Sequence, residues 1–252
     1  MPPRTIRVGP LAVDLYEPAA APRFALLYLH GFGSVRTGQK VVHLGEAVAR
    51  AGGAMLAPDL QGHGDSEGDF GTITIARSIH DLCAVAELPL FRDADRRLLG
   101  GSSFGALTSM WASIDHPELC QQLFLIAPAI RFIERHTEAL TPEDLERWRS
   151  GQPIRVDKDW FSVDLHSAIY DEAQERSVSE LAHRFRHPAR IVHGSEDETI
   201  ALADVEAFVD ACANPGLSLR VIPGGDHRLT EHLLLLETEL LASAADLRKL
   251  DS

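Results

Sequence analysis

The sequence of 252 residues lacks several features that identify common classes of protein. Its three cysteines, Cys83, Cys120 and Cys212, show no CxxC or other paired spacing, so we predict reduced thiols rather than a disulfide framework. No HExxH or other metal-ligand spacing occurs among its 12 histidines, and no G-x-G-x-x-G opens the first predicted helix. We therefore predict no metal, no dinucleotide and no other cofactor.

Long apolar runs and basic residues are also scarce. The N-terminal stretch MPPRTIRVGPLAVDLYEP has neither the apolar region nor the cleavage site of a secretion signal, and Glu237 and Glu239 interrupt HLLLLETELL well short of a membrane span. Lys and Arg number 24 against 37 Asp and Glu, which gives a net charge of −13 and disfavours nucleic acids and anionic membranes as partners. We predict a cytoplasmic protein and leave its oligomeric state open.

Apolar runs alternate with segments of helical periodicity along most of the chain. A hairpin is predicted around Gly9-Pro10, and the later runs are FALLYLHG, AMLAPDL, RRLLGGSS, QQLFLIAPA, ARIVHGSED and SLRVIPGGDH. The intervening helices are predicted near 38–51 and 74–88, from 104, and near 201–213 and 230–249. Strands that are apolar throughout are covered on both faces, which is typical of parallel sheets in α/β domains. The predicted fold class is α/β, with a mostly parallel sheet and helices on both faces.

Residues 131–188 interrupt this alternation. We predict that they form a small cap, inserted into a core of residues 1–130 and 189–252. Within the cap, Thr141 is the expected start of a helix and Gly151 its expected end. A connection of this length between two strands is usually a functional insertion. We expect the cap to lie over the carboxyl edge of the sheet, where open α/β folds bind ligands.

The stretch GSSFG at residues 101–105 matches the pattern G-x-S-x-G. This pattern is typical of a sharp strand-turn-helix bend that holds a serine in a strained conformation with its hydroxyl exposed. Chance alone gives a match in roughly one chain in ten of this composition. Here an apolar run precedes the motif and the helical pattern ALTSMWASI follows it, so we predict Ser103 as a nucleophile.

A serine hydroxyl needs a base, and the base needs an acid that fixes its tautomer. After a bend of this kind the acid and the histidine follow the serine in that order along the chain. Asp197 ends the apolar run of IVHGSED, and His227 ends that of VIPGGDH. Each alone is equally typical of an ordinary cap or loop residue, but together they predict the acid and the base. Glu196, Glu198 and Asp226 remain alternatives for the acid.

A tetrahedral intermediate also needs N–H donors directed at its oxyanion. We predict the backbone N–H groups of Phe104, the residue after the nucleophile, and of Phe32, which follows an earlier strand. His30, at the end of that strand, is expected to bond to nearby backbone rather than act as a base. His63, in the glycine-rich loop LQGHGDSEG, is expected to pack beneath the site.

These pieces together resemble the α/β-hydrolase superfamily. The matching stretches are HGFGSVRTGQK, DLQGHGDSEGDF, GSSFGAL, HGSEDETI and GGDHRL. More narrowly, the chain is similar to small serine hydrolases that include mitochondrial depalmitoylating thioesterases, which also cleave acyl glucuronides, and bacterial esterases, with some similarity to cinnamoyl and feruloyl esterases. The resemblance implies the α/β-hydrolase fold, with Ser103 as nucleophile, Asp197 as acid and His227 as base. The chain departs from the group at Phe104, where Leu or Met is common, and this implies a narrower pocket for the acyl group.

The expected activity is therefore hydrolysis of carboxylic esters or thioesters through an acyl-enzyme. Apolar side chains of the cap are candidates to line an acyl pocket, with packing inside the cap as the alternative for each: Phe132, Trp148, Trp160, Phe161 and Tyr170. Other reactions on the same scaffold remain open, namely carbon–carbon bond hydrolysis, peptide cleavage and perhydrolysis. A non-catalytic binding module is a further alternative, although such proteins usually lose a member of the triad.

Overall fold

The computed structural model describes residues 2–138, 140–158 and 161–246. In this part of the chain the strands are β1 Arg4–Val8, β2 Leu11–Tyr16, β3 Ala25–Leu29, β4 Ala54–Pro58, β5 Arg97–Ser102, β6 Gln122–Ile126, β7 Ile154–Lys158, β8 Phe161–Leu165, β9 Ala189–Gly194 and β10 Leu217–Ile222. The helices are α1 Gln39–Arg50, α2 Ile75–Ala86, α3 Pro89–Arg92, α4 Phe104–Asp115, α5 Phe132–Glu138, α6 Pro142–Arg149, α7 Ala168–Glu175, α8 Val178–Arg184, α9 Leu202–Ala211 and α10 Leu233–Asp246.

Eight of these strands form one sheet in the order β1-β2-β4-β3-β5-β6-β9-β10. Strand β2 pairs antiparallel with β1 and β4, and every other pairing in this sheet is parallel. Strands β7 and β8 form a separate antiparallel pair. The predicted mostly parallel α/β sheet is confirmed.

The sheet is buried on both faces because its central strands are apolar throughout. In β3, Leu27 and Leu29 join the buried cluster that includes side chains of α2 and α4. Leu26 and Tyr28, on the opposite face, join the cluster that includes side chains of α1 and α10. Full burial of one such side chain stabilises the fold by about 1.5–3 kcal/mol. The alternation along one strand therefore attaches helices to both faces of the sheet.

The cap contains helices α5 to α8 and the β7–β8 hairpin. Thr141 caps α6 by accepting a hydrogen bond from the N–H of Asp144 (3.1 Å), and Gly151 follows the helix with a φ of 86°, both at the positions expected from the sequence. Trp148 is 1% exposed, and its indole N–H donates to the carbonyl of Leu165 (3.1 Å). Trp148 and Leu165 belong to the same buried cluster as Leu27 and Leu29 of the sheet, so the cap packs onto the core. The boundaries of the cap at residues 131 and 188 remain predictions.

Two contacts place the β7–β8 hairpin over the carboxyl edge of the sheet. The ring of Phe161 occupies the space next to Gly33, such that a Cβ added at Gly33 would lie 2.3 Å from it. The N–H of His166 donates to the carbonyl of Gly71 (2.8 Å). Because Gly33 and Gly71 lie in the loops that follow β3 and β4, this part of the cap covers the edge where the site was expected.

Helix α7 is also attached to the core through one side chain. The carboxylate of Glu172 accepts hydrogen bonds from the N–H groups of Ile75 and Ala76, each at 2.5 Å. A carboxylate at a helix N-terminus satisfies orphan N–H donors and interacts favourably with the helix dipole. Glu172 therefore caps α2 from across the interface between cap and core. Within the described residues, no helix has the length and apolar character needed to cross a membrane.

Candidate active site

Ser103 occupies the bend between β5 and α4, with φ 53° and ψ −117°. The neighbouring backbone segments approach closely at this bend. A Cβ at Gly101 would lie 2.5 Å from the carbonyl carbon of Gly105, and a Cβ at Gly105 would lie 2.4 Å from the carbonyl oxygen of His30. Only glycine fits these two positions, which is the physical reason for the small residues on either side of Ser103.

Hydrogen bonds on both sides of Ser103 maintain this strained backbone. Its N–H donates to the carbonyl of Ile126 (2.9 Å), which extends the pairing of β5 and β6. Its carbonyl accepts from the N–H groups of Leu107 (3.1 Å) and Ala129 (3.2 Å). A residue in a sparsely populated conformation costs about 1–3 kcal/mol, and it persists only where its surroundings determine it in this way.

Asp197 and His227 form a direct hydrogen bond. The Nδ1 of His227 donates to Oδ2 of Asp197 at 2.8 Å, and Oδ1 of Asp197 accepts from the N–H groups of Thr199 (2.9 Å) and Ile200 (2.7 Å). Burial by itself raises the pKa of Asp197, but the hydrogen bond and charge of His227 and the N–H of Ile200 lower it overall below its ordinary value. Since the carboxylate only accepts, Nδ1 carries the proton and Nε2 of His227 is left as an acceptor.

The competing carboxylates have other surroundings. Glu196 and Glu198 are exposed. Asp226 accepts a hydrogen bond from the N–H of Leu229 (2.7 Å), within its own turn. The side chain of Asp197 is fully buried, as expected for a carboxylate that fixes the orientation of an imidazole. The geometry supports Asp197 over these three alternatives.

His193 lies behind Asp197 and had no assigned role in the sequence reading. Its Nε2–H donates to the carbonyl of Ile200 (3.0 Å) and lies 3.4 Å from Oδ2 of Asp197. Burial lowers its pKa, which favours the neutral ring. His193 therefore fixes the turn that presents Asp197. Its position in the sequence could have indicated this role. His193 lies at the end of a buried strand, four residues before the predicted acid, and this spacing brings the imidazole next to the Asp197 carboxylate.

The loop after β3 passes against Ser103. A Cβ at Gly31 would lie 3.4 Å from Cβ and 4.0 Å from Oγ of Ser103. Phe32 follows directly in this loop. Phe104 is the first residue of α4, where a backbone N–H has no acceptor within the helix. The predicted oxyanion donors, the N–H groups of Phe32 and Phe104, thus belong to the two segments that meet at Ser103, and their role stays a prediction.

Two neutral imidazoles support this loop from below. Nε2 of His63 accepts from the N–H of Gly33 (3.3 Å), and Nε2 of His30 accepts from the N–H of Leu60 (3.1 Å). Nδ1 of His30 donates to the carbonyl of Gly31 (2.8 Å). Burial lowers the pKa of His30 to about 4, and burial together with the nearby His30 lowers that of His63 to about 3. Both histidines have the backbone-bonding roles expected from the sequence.

Arg36 anchors the far end of the same loop, a role that the sequence did not indicate. Its N–H donates to Oδ1 of Asp59 (2.7 Å), and its guanidinium contacts Asp14 (3.1 Å), Asp65 (2.7 Å) and Oδ2 of Asp59. Asp14 lies in β2, and Asp59 and Asp65 lie in the loop after β4, so no local spacing in the sequence connects Arg36 with these carboxylates. The pKa of Arg36 is raised by its hydrogen bonds to Asp65 and Asp14 and by the charge of Asp59, against the opposing effect of burial.

A cavity of about 870 Å³ opens beside Ser103 and His227. Its walls come from the loop after β3, the first turn of α1 and the loops after β9 and β10: Tyr28, His30, Gly31, Phe32, Gly33, Ser34, Val35, Gly38, Gln39, Lys40, Val41, Ser102, Ser103, Glu196, Glu198, Thr199, Asp226, His227, Arg228 and Thr230. Within the described parts of the chain, no residue of the cap contributes to these walls. The described residues that form the wall therefore belong to the core, and they expose more apolar than polar surface to the cavity.

The described side chains that the sequence predicts for an acyl pocket pack on other aromatic rings in this structure, and their role in substrate binding stays a prediction. Phe132 and Phe161 pack on Phe32, with ring centroids 5.0 and 5.3 Å away, and Phe104 lies 5.1 Å from Phe132. These four rings pack together beside the loop after β3, and of the four only that of Phe32 belongs to the cavity wall. Trp148 and Tyr170 pack against each other inside the cap with tilted rings, whose centroids are 5.5 Å apart. Trp160 lies outside the described residues.

Comparisons with known proteins agree with this architecture. The family model Hydrolase_4, described as serine aminopeptidase, S33, matches residues 20–153. The chain is 27% identical over 222 residues to mouse mitochondrial palmitoyl-protein thioesterase ABHD10, covering 83% of this chain and 72% of that protein.

Solved structures show the same fold. The ferulic acid complex of Est1E from Butyrivibrio proteoclasticus superposes with a TM-score of 0.78 at 24% identity, covering 96% of this chain and 99% of that one. Mouse alpha/beta hydrolase domain-containing protein 10 gives a TM-score of 0.78 at 21% identity over the full length of both chains. These matches confirm the predicted α/β-hydrolase fold and the resemblance to thioesterases and esterases.

Proposed function

The chain belongs to the Hydrolase_4 family, described as serine aminopeptidase, S33, and on this basis we propose that it hydrolyses carboxylic esters or thioesters through an acyl-enzyme. The observation that carries the proposal is that Ser103 and the hydrogen-bonded pair of His227 and Asp197, which come from distant parts of the chain, converge on one cavity. Ser103 and His227 line one cavity, and His227 is hydrogen-bonded to the buried Asp197.

The first half of the reaction acylates Ser103. Oγ of Ser103 attacks the carbonyl carbon while Nε2 of His227 accepts its proton. The resulting oxyanion is stabilised by the N–H groups of Phe32 and Phe104, and removal of one such donor typically costs about 2.7–4 kcal/mol in transition-state stabilisation. Collapse of the intermediate breaks the bond to the alcohol or thiol, which leaves with the proton from His227.

The second half returns the free enzyme. His227 accepts a proton from water, and the resulting hydroxide adds to the acyl carbonyl. The second tetrahedral intermediate collapses, Oγ of Ser103 regains its proton from His227, and the carboxylic acid is released. In both halves Asp197 holds the imidazole in the Nδ1–H tautomer and stabilises the imidazolium.

The choice of esters and thioesters over peptides rests on the relatives. The curated mouse relative is named a palmitoyl-protein thioesterase, and a solved structure with the same fold is described with ferulic acid bound. The family description, in contrast, names a serine aminopeptidase. Peptide cleavage is therefore the alternative that the experiment must include.

The test is a substrate panel with matched serine variants. Wild type, Ser103→Ala and Ser102→Ala are assayed on p-nitrophenyl esters from acetyl to palmitoyl, on the corresponding thioesters and on aminoacyl p-nitroanilides. Ser102 is the neighbouring hydroxyl and bonds to Tyr28 (2.6 Å), so it serves as the control. We expect ester and thioester turnover that is lost in Ser103→Ala and retained in Ser102→Ala. Turnover retained in Ser103→Ala, or confined to the anilides, would contradict the proposal.

The cytoplasmic location predicted from the sequence remains a proposal. The curated mouse relative is named as mitochondrial. Microscopy of the chain carrying a C-terminal fluorescent tag in its native cells distinguishes the two locations.

A further inference from the structure

Lys40 places a positive charge on the wall of the catalytic cavity. It is the second residue of α1 and lines the cavity together with Ser103 and His227. Its side chain is half-buried. In the part of the chain that the structure describes, no carboxylate forms an ion pair with its ammonium group. The reaction proposed above assigns no role to this lysine.

The two carboxylates whose charges act on Lys40, those of Asp226 and Asp197, already have other hydrogen-bond partners. Asp197 is bonded to His227, Thr199 and Ile200, and Asp226 is bonded to the N–H of Leu229. Both act on Lys40 only through space, and burial nevertheless lowers its pKa to about 8. A partly buried cation without a bonded partner is costly, and such groups are concentrated at functional sites. At neutral pH this amine remains largely protonated.

The surroundings of Lys40 add to the positive potential. Gly38, Gln39 and Val41 from the same turn also line the cavity. The first turn of α1 contains no acidic residue, and no side chain caps it. The N-terminus of a helix carries a partial positive charge, so it reinforces the ammonium. Arg228 and the carboxylates of Glu196, Glu198 and Asp226 also line the cavity, but all four side chains are exposed, so water and salt screen their charges more than that of the half-buried Lys40.

The position of Lys40 selects one side of the substrate. His227 must deliver its proton to the departing atom, so the leaving group lies on the side of the cavity that the loop of His227 forms. The charge of Lys40 acts on Asp226, which lies in that loop directly before His227, and on Asp197, which holds His227. Phe32, in the loop after β3, lines another part of the same cavity. The part of the cavity between Lys40 and the loop of His227 is therefore the space that we assign to the leaving group.

We propose that Lys40 binds an anionic group, a carboxylate or a phosphate, on the leaving group of the substrate. This inference rests on the proposed ester or thioester hydrolysis and specifies the class of substrate. Lys40 is then a specificity-determining residue that contacts the substrate at a distance from the reacting carbonyl.

The test compares esters that differ only in charge. The butyryl esters of glycolate and of glycolamide carry an anionic and a neutral leaving group of nearly the same shape, and the ester of 2-hydroxyethyl phosphate adds the phosphate. We expect wild type to prefer an anionic ester by about tenfold or more in kcat/KM. Lys40→Gln should abolish that preference with little change for the glycolamide ester, and Lys40→Arg should retain part of it.

A second pair locates the anion. Methyl hydrogen succinate and methyl succinamate carry the charge or the neutral amide on the acyl side, and their ratio should not change in Lys40→Gln. The inference is overturned if Lys40→Gln alters neither ratio, or alters only the succinate ratio.

Binding separates this inference from the proposed reaction. Calorimetric titration of Ser103→Ala, with and without Lys40→Gln, measures the affinity for the intact glycolate and glycolamide esters without turnover. A preference for the glycolate ester that disappears with Lys40 supports the inference even if no ester is hydrolysed. Equal affinities in both backgrounds overturn it, whereas absent turnover in wild type counts against the proposed reaction alone.

Discussion

Asp197 and His227 are joined by a 2.8 Å hydrogen bond, although 30 positions separate them along the chain. They meet because β9 and β10 are adjacent parallel strands, so the loops that follow them emerge side by side. Ser103 follows β5, two strands further along the sheet. The parallel sheet is thus the element that assembles the site, since it directs all three loops to one edge.

Replacing Asp197 with Asn should reduce activity strongly without unfolding the protein. The amide oxygen can still accept from Thr199 and Ile200, but its NH₂ group would donate to Nδ1 of His227 and reverse the tautomer. By analogy with serine proteases we expect kcat to fall by about 10³–10⁴-fold. Steady-state kinetics on a p-nitrophenyl ester measure the loss. The exposed neighbour variant Glu198→Gln is the control, and a similar loss there would contradict the assignment of the acid.

Replacing Phe104 with Leu should widen the space beside the loop after β3. Phe104 is fully buried and packs against Phe32 and Phe132, so its loss leaves a cavity and destabilises the fold by about 1–3 kcal/mol. We expect kcat/KM to rise for octanoyl relative to acetyl esters. The matched control is Phe208→Leu, because Phe208 is a buried residue of α9 whose ring packs against Phe185. Equal changes in chain-length preference in both variants would contradict this account.

Replacing Glu172 with Gln should loosen the attachment of the cap. Burial raises the pKa of this carboxyl against the opposing effect of its hydrogen bonds to Ala76 and Ile75. The neutral amide keeps the shape but loses the charge at the N-terminus of α2, a change of about 1 kcal/mol. Hydrogen exchange should become faster in the first turn of α2 and in α7. Glu175 is exposed on the same helix, so Glu175→Gln should leave exchange in both segments unchanged. Equal exchange rates in the two variants would contradict the claim that Glu172 attaches the cap to α2.

The two buried histidines predict a loss of stability in acid. His63 binds protons below about 6.5 when unfolded but only below about 3 when folded, so the unfolded state takes up more protons between these values. The contribution of the neutral His63 to the free energy of unfolding is fully present above about pH 6.5, and it is lost progressively as the pH decreases towards 3. Between about pH 7.5 and pH 5, His63 should account for roughly 1–2 kcal/mol of the decrease in unfolding free energy.

Urea denaturation at these two pH values measures that decrease. In His63→Gln the amide cannot titrate, so the difference between the two pH values should shrink by a similar amount. His183→Gln removes a histidine that is exposed on α8 and is the control. If the unfolding free energy of His63→Gln depended on pH as that of wild type does, the claim that His63 is buried as a neutral imidazole would be contradicted.

Local sequence was sufficient for the strands of the main sheet, for most of the helices beside it and for the cap helix α6, whereas the β7–β8 hairpin and helices α3, α5, α7 and α8 were not predicted. The fully apolar run at β3 and the small residues around Ser103 reflect backbone burial and close approach, which depend on neighbours a few positions away. Asp197 and His227 are predicted as acid and base because each ends an apolar run, and parallel strands bring such ends together. These inferences needed only the order of the strands along the chain.

The remaining features depend on contacts between distant segments. Arg36 meets Asp14, Asp59 and Asp65, and its burial among them follows from the fold rather than from any motif. In the same way, the aromatic side chains of the cap were candidates for a pocket, but Phe161 packs on the loop after β3. Aromatic residues in the sequence indicate an apolar environment, but they do not show whether the side chains line an open pocket or pack against other side chains.

The most direct measurement of the central claim is covalent labelling by a fluorophosphonate followed by peptide mass spectrometry. The account predicts one adduct per chain, located on Ser103, which is absent in Ser103→Ala and forms much more slowly in His227→Gln. No adduct on the wild type under conditions that label a known serine hydrolase, or an adduct located on another residue, would contradict the claim that Ser103 is the activated nucleophile.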